Sequence, residues 1–330
     1  MSQARLSTVS PGAASASPVV ASAAGLALGY AADLLLGDPR RYHPVAGFGR
    51  LAAALEQRTY ADRRGAGVLH AGVLVGGSVL VGVGLQGLSR RSVWQLLVTA
   101  AATWAVLGGR SLGREADAVS AQLSEGDVAA ARRQIRNLVG RDPAQLDADD
   151  LARACVESVA ENTSDAVVAP LCWGAVAGVP GLLAYRSVNT LDAMVGHRSP
   201  RYLRFGWAAA RLDDVANWVP ARLSAALAAV SASAVAGSTD QARSAVRRDA
   251  GGHPSPNAGV VEAAFAGALG VRLGGTNVYA GHAEDRGTLG RGRAVQHGDI
   301  ARSVRLARLI SAEALVLAVA VRALSGGWRR

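Results

Sequence analysis

The sequence predicts an all-α, polytopic integral membrane protein in which some apolar helices re-enter or pack laterally instead of spanning. Three observations predict it. Half of the 330 residues are hydrophobic, the mean hydropathy is positive at +0.19, and several apolar runs approach the roughly 20 residues that cross hydrocarbon. The formal net charge is +10, and every basic residue is an arginine. Without lysine there is no Walker A phosphate loop, no Schiff base and no lysine adenylate. Phosphates and carboxylates must be held by guanidinium forks or backbone amides. The two cysteines, Cys155 and Cys172, have no metal-ligand spacing and read as reduced structural thiols.

The elements follow in chain order. Residues 1–17 lack the charged start of a secretory signal and are expected to be a disordered tail. Membrane helices are expected over 18–109, a catalytic helical region over 110–303, and a last membrane helix over 304–330. The spans within these are 18–36, 66–88, 93–109 and 306–324. The second holds Gly72, Gly76, Gly77, Gly82, Gly84 and Gly87, which predicts close small-residue packing. The last is interrupted by Glu313, a carboxylate that must be functional or neutralised by a neighbour. Polar helices are expected over 114–123, 128–140 and 147–161, with Asp127 as an N-cap. No segment reads as a sheet.

The run 166–185 carries Pro170 and Pro180. If it spanned, the polar motifs on either side of it would lie on opposite membrane faces. A single active site forbids that, so this run and the apolar run 223–237 are expected to re-enter or pack laterally, which a bilayer tolerates where irregular backbone is covered by protein. The segment 37–65 contains Arg40, Arg41, Arg50, Arg58, Arg63 and Arg64, against only Arg5 in the N-terminal tail. The catalytic motifs are therefore expected on the cytoplasmic side of a multi-pass cell-membrane protein. The Arg90–Arg91 turn is a mild exception.

The chemistry is concentrated in three polar runs. Glu157, Glu161 and Asp165 recur at intervals of four, so one helix face would offer hard oxygen ligands suited to Mg²⁺. The plain alternative, a solvated acidic face, sits poorly beside so apolar a run. Arg186, Asn189 and Asp192 follow, then Arg211, Asp213 and Asp214. The arginines fit either phosphate binding or intrahelical ion pairs. Asp213 and Asp214 diverge around a helix, so at most one faces the site. Ser255-Pro256-Asn257 reads as a helix start, with Pro256 at its first position and its amides open to an anion. Gly259, Ala263 and Gly267 beyond it signal close helix packing. His43, in Asp38-Pro39 … His43-Pro44-Val45, is a candidate general base or ligand.

Taken together, Gly37-Asp-Pro39 with His43-Pro-Val45, Glu161-Asn-Thr-Ser-Asp165, Asn189-Thr-Leu-Asp-Ala-Met194, Ala210-Arg-Leu-Asp-Asp214 and Ser255-Pro-Asn-Ala-Gly259 leading to Gly270-Val-Arg-Leu-Gly-Gly275 resemble the CobD/CbiB family of adenosylcobinamide-phosphate synthases. The resemblance runs from about Tyr30 to the last span. It implies a ligase of cobalamin biosynthesis that joins a carboxylate of adenosylcobyric acid to the amine of (R)-1-aminopropan-2-ol phosphate, with ATP consumed. On this expectation Glu157, Glu161 and Asp165 hold Mg²⁺ on the nucleotide. Arg186, Asn189, Arg211, Ser255, Asn257 and Arg272 bind substrate phosphates, and Asp192, Asp214 or His43 takes the ammonium proton.

The expected partners are the corrinoid, the amino-alcohol phosphate, the lipid bilayer and other late cobalamin-pathway membrane enzymes. Nucleic acid is disfavoured, because the arginines are spread through membrane loops without aromatic interleaving. Two rivals stand beside the ligase. One is a Mg²⁺-dependent transferase of prenyl or lipid diphosphates; the other is a transporter using Glu313 and the acidic cluster as an ion path.

Overall fold

The computed structural model describes residues 17–39, 43–89, 91–140, 142–279 and 282–325. The expected tail, apart from Ser17, and Arg5, Arg40, Arg41 and Arg90 lie outside the described residues. The helices are α1 Pro18–Leu36, α2 Pro44–Thr59, α3 Arg64–Leu88, α4 Ser92–Val106, α5 Gly109–Ser124, α6 Val128–Gln134, α7 Ala148–Thr163, α8 Ala169–Val195, α9 Trp207–Ala216, α10 Trp218–Ser231, α11 Thr239–Asp249, α12 Ala258–Leu269 and α13 His297–Leu324. Five helical segments are long and apolar enough to cross a membrane. Leu80, Leu88, Val176 and Val316 are all exposed on them or on α13, as a lipid-facing surface requires.

Two expectations about the spans change. The helix over 306–324 forms, but it carries Arg308, Glu313 and Arg322 and is not among the five apolar segments. Each charge is instead met by another helix: Arg308 Nη2 lies 3.1 Å from Asp117, Ser231 Oγ donates to Glu313 at 2.6 Å, and Arg322 Nε donates to Ser22 Oγ at 3.2 Å. The glycines of α3 are the second change. Of the six glycines at 72–87, Gly82 alone packs tightly, against the backbone of Pro180, while Gly72, Gly76, Gly77, Gly84 and Gly87 face open space; Gly67, one turn into the helix, packs against the backbone of Phe205. The close crossing belongs to α1 and α4, where Cβ atoms on Gly25 and Gly29 would collide with Thr99, Ala100 and Thr103.

The segment 166–185 does turn back. α7 runs through a π-helical turn, Ser164–Val168, into α8, and α8 breaks at Gly178 (φ +67°, ψ −144°). That backbone region is essentially restricted to glycine. Pro180 follows, where its missing N–H and fixed φ suit a new helical start. The amide of Val179, orphaned by the break, donates to Gln86 Oε1 of α3 at 3.1 Å. The two arms pack closely because Gly174 and Gly181 leave room, a Cβ on Gly181 colliding with Trp173 O. At 1.5 Å per residue, Asp165 to Gly178 covers about 20 Å, short of the roughly 30 Å hydrocarbon thickness. The reversal returns the chain to the level at which it entered, and Ser187 Oγ ties the returning arm to Ser78 of α3 at 2.7 Å.

One element was not anticipated. Two strands, β1 Leu273–Tyr279 and β2 His282–Leu289, pair antiparallel as a hairpin, with positive φ at Gly274, Gly275 and Gly287. Its glycines and short polar side chains show no period-2 apolar alternation, so strand propensity left no mark. The polar helices agree better with expectation. Asp127 Oδ1 accepts from Ala130 N at 2.8 Å, so it is the N-cap foreseen. The helix after Ser255 starts later than expected, at Ala258, so Pro256 is not its first residue. Ser255 Oγ nevertheless accepts from Ala258 N at 3.1 Å. Gly259 and Gly267 pack against His253 and Ala242 as their spacing predicts.

Candidate functional site

The π-turn, the returning arm of α8 and the helix α9 bring three polar runs to one place. Asp165 stands in the π-turn, an insertion that re-aims side chains within a helix and is frequent at functional sites. Asn189 Nδ2 of the returning arm reaches Asp165 Oδ2 at 3.5 Å, and Arg186 Nη1 donates to Asn189 Oδ1 at 3.3 Å. Tyr185, 2% exposed, donates from its hydroxyl to Asp165 O at 3.1 Å and Asn217 Oδ1 at 2.8 Å. Asn217 Nδ2 in turn donates to Asp213 Oδ2 at 3.0 Å. Residues 52 positions apart thus share one hydrogen-bonded chain.

The electrostatics of this chain are unbalanced. Asp213, Glu161 and Asp192 all act on Asp165 by charge, opposed by the cation of Arg186. Asp213 Oδ1 and Arg186 Nε are buried without a hydrogen-bond partner. Burial pushes the Asp213 carboxyl up to about 6, with Asp214 and Glu161 adding to the rise and hydrogen bonds from Asn217 and Asn189 opposing it. Neighbouring carboxylates with an unfilled acceptor position suit a cation.

Mg²⁺ fits the donor type of this site. Among the described residues no group of three His, Cys, Asp or Glu side chains is gathered tightly enough to cage a metal ion. Mg²⁺ typically keeps several waters and takes one or two carboxylates together with substrate phosphates, so loosely spaced carboxylates suit a Mg²⁺–phosphate complex better than a bare ion. Asp165, Asp192, Asp213 and Glu161 are the residues that would hold it, as hard oxygen donors.

The expected site residues divide. Glu161, Asp165, Arg186, Asn189 and Asp192 gather here. Of the adjacent pair, Asp213 is the one bonded into the chain, while Asp214 Oδ2 pairs with Arg211 Nη1 at 3.1 Å. Asn257 sits beside this rim, its Nδ2 donating to Asp214 O at 2.8 Å and its Oδ1 accepting from Arg222 at 3.2 Å. Ser255 Oγ closes the turn ahead of α12. His43 caps α2, its Nδ1 accepting from Val45 N at 3.1 Å and its Nε2 lying 3.4 Å from Asp38. Asp38 also acts by charge on Arg186, which sets this pair at the edge of the cluster.

Two expected residues lie elsewhere. Glu157 Oε1 accepts from Gly274 N at 2.9 Å and from Arg153 Nη1 at 3.3 Å, so its carboxylate is committed to the hairpin and not to the face shared by Glu161 and Asp165. Arg272 lines a separate cavity of about 290 Å³ with Arg153, Gly274 and Gly275. Tyr185 and Asn217 carried no signal as site residues beyond their place beside Arg186 and four residues after Asp213.

A family model described as CobD/Cbib protein matches residues 26–307. The chain belongs to the CobD/CbiB family. It is 57% identical over 297 residues to "Cobalamin biosynthesis protein CobD" of Mycobacterium tuberculosis H37Rv, covering 90% of this chain and 95% of that one. Proteins of the same name from Chromobacterium violaceum and Rhodobacter capsulatus are 43% identical over 280 residues and 42% over 286 residues. These cover 83% and 84% of this chain, and 88% and 90% of theirs. No solved structure matches the chain.

Proposed function

We propose that the protein is an ATP-dependent amide ligase that joins a carboxylate of adenosylcobyric acid to (R)-1-aminopropan-2-ol phosphate. A role in cobalamin biosynthesis accords with the family and with the names of its relatives. The observation that supports the chemistry is the meeting of Asp165, Asn189 and Asp213 from three separate runs, with Asp213 Oδ1 left as an unfilled buried acceptor. Amide formation in water is uphill, so the carboxylate first takes the terminal phosphoryl group of ATP and ADP leaves. The neutral amine then attacks the acyl carbon and phosphate leaves. Bound Mg²⁺ would neutralise the charge of the transferred phosphoryl group.

The residues of the chain do the rest. Glu161, Asp165, Asp192 and Asp213 supply the negative field that would hold Mg²⁺, through which the phosphates would be bound. On this reading Arg186 and Arg211 supply the guanidinium groups for phosphate oxygens. Asp192, Asp214 and His43 remain the three candidates for accepting the ammonium proton. The arginine-rich segment between α1 and α3 supports a cytoplasmic position for this end of the helices.

The test is amide formation by purified protein with ATP, Mg²⁺ and both substrates, comparing wild type with Glu161→Ala and Asp165→Ala at equal membrane insertion. Loss of roughly a hundredfold or more in either variant is expected from removing charge at such a site. Wild-type rates in both would refute the metal role. Product formation also separates this reading from a transporter, which forms no bond.

A further inference from the structure

On the far side of α7 from the carboxylates lies a second cavity, of about 370 Å³, enclosed by α1, α5, α7 and α13. Val159 and Thr163 line it; each is two residues from Glu161 or Asp165, hence on nearly the opposite face of the helix. Part of its lining is apolar, including Leu34 and Val304, and its charged lining is Arg110, Arg114 and Arg308 with Asp33 and Asp117.

The position of the cavity is informative. α1 ends at Leu36 and α4 at Val106, and polar α5 begins at Gly109, so the cavity sits where apolar helices give way to polar ones. Trp104 Nε1 donates to Gly37 O at 3.0 Å at the same level, where an indole marks a membrane boundary. Leu35 and Leu36, beside the cavity wall, are 78% and 71% exposed. Its charge is equally informative. Arg114 lies 3.4 Å from half-buried Glu115 and Arg308 3.1 Å from exposed Asp117, and the two arginine side chains remain 55% and 66% exposed. Asp33 is 1% exposed; its Oδ2 accepts from Arg110 N at 3.2 Å, yet its Oδ1 is buried with no partner. A buried acceptor left open calls for a hydrogen-bond donor.

We propose that this cavity binds a glycerophospholipid headgroup, with the phosphate held by Arg114 and Arg308 and a hydroxyl or ammonium group of the headgroup donating to Asp33. The boundary height, the apolar part of the lining and the pairing of a cationic rim with one open carboxylate oxygen all match that ligand. The site is independent of the ligase reading, because it shares no side chain with the carboxylate cluster.

The experiment uses the full-length protein, delipidated in detergent, with binding read by native mass spectrometry. The probes are phosphatidylglycerol, phosphatidylcholine and inorganic phosphate. Phosphatidylglycerol is expected to bind roughly tenfold more tightly than phosphatidylcholine, whose quaternary ammonium has no proton to give. The double variant Arg114→Gln/Arg308→Gln, which changes only exposed side chains, is expected to lose that preference, while Arg305→Gln on the exposed face of α13 keeps it. Equal binding of the two lipids, an unaltered double variant, or an equal loss in Arg305→Gln would overturn the site. Inorganic phosphate binding as tightly as phosphatidylglycerol would overturn the lipid as its ligand.

Discussion

Gly178→Ala tests the reversal on which the site depends. In wild type the residue holds φ +67° and ψ −144°, a region in which a residue with a Cβ is strained by about 1–3 kcal/mol. The new Cβ would also collide with Gln86 Oε1 and press on Arg322 Nη2. Displacing Gln86 leaves the Val179 amide without its acceptor, which costs about a further 1–3 kcal/mol. Together these give a destabilisation of about 4 kcal/mol, or a fall in melting temperature on the order of 10 °C. The assay is thermal unfolding of the detergent-solubilised protein, with Gly84→Ala as its control. Gly84 lies within α3 facing open space, so alanine there should be neutral or stabilising by up to about 1 kcal/mol. Equal melting temperatures for Gly178→Ala and wild type would show that α8 does not turn back at this residue, and Asp165 and Asn189 would lose their reason to meet.

Further outcomes follow from other contacts. Gln86→Ala, which removes only the acceptor for Val179 N, should lower stability by about 1–3 kcal/mol in the same melt. Asp213→Asn should raise the melting temperature, because it removes a carboxylate with a buried, unpartnered oxygen, while lowering ligase activity by roughly a hundredfold. His253 gives a pH dependence. Burial, reinforced by Arg286, lowers it from 6.5 to about 4; Arg286 Nε donates to its Nε2 at 2.9 Å, leaving Nδ1 to face Ser255 O at 3.2 Å. The unfolded chain takes up this proton before the folded one does. The contribution to stability is therefore complete above pH 6.5 and lost as pH falls toward 4, by up to about 3 kcal/mol. His253→Gln should flatten that part of the stability–pH curve, and an unchanged curve would contradict it.

Hydrophobic run lengths alone were enough to determine the helical membrane class and the bounds of α1, because a helix must satisfy its own backbone bonds in lipid and needs a set length to cross it. The polar runs around Asp165, Asn189 and Asp213 were equally legible, since carboxylates beside apolar segments have no plain structural reason to be there. The re-entry of 166–185 could be argued from the need for one site, but its place could not. What marks Gly178 out is a backbone conformation adopted where Gln86 and Arg322 pack around it. Likewise a period of four put Glu157 with Glu161 and Asp165, whereas in the folded chain the amide of Gly274, 117 residues away in sequence, claims Glu157, and a π-turn re-aims Asp165. The choice of Asp213 over Asp214, the hairpin of β1 and β2 and the cavity behind α7 are of the same kind. Each depends on contacts between residues far apart along the chain, and such contacts leave no periodic trace in the amino-acid order.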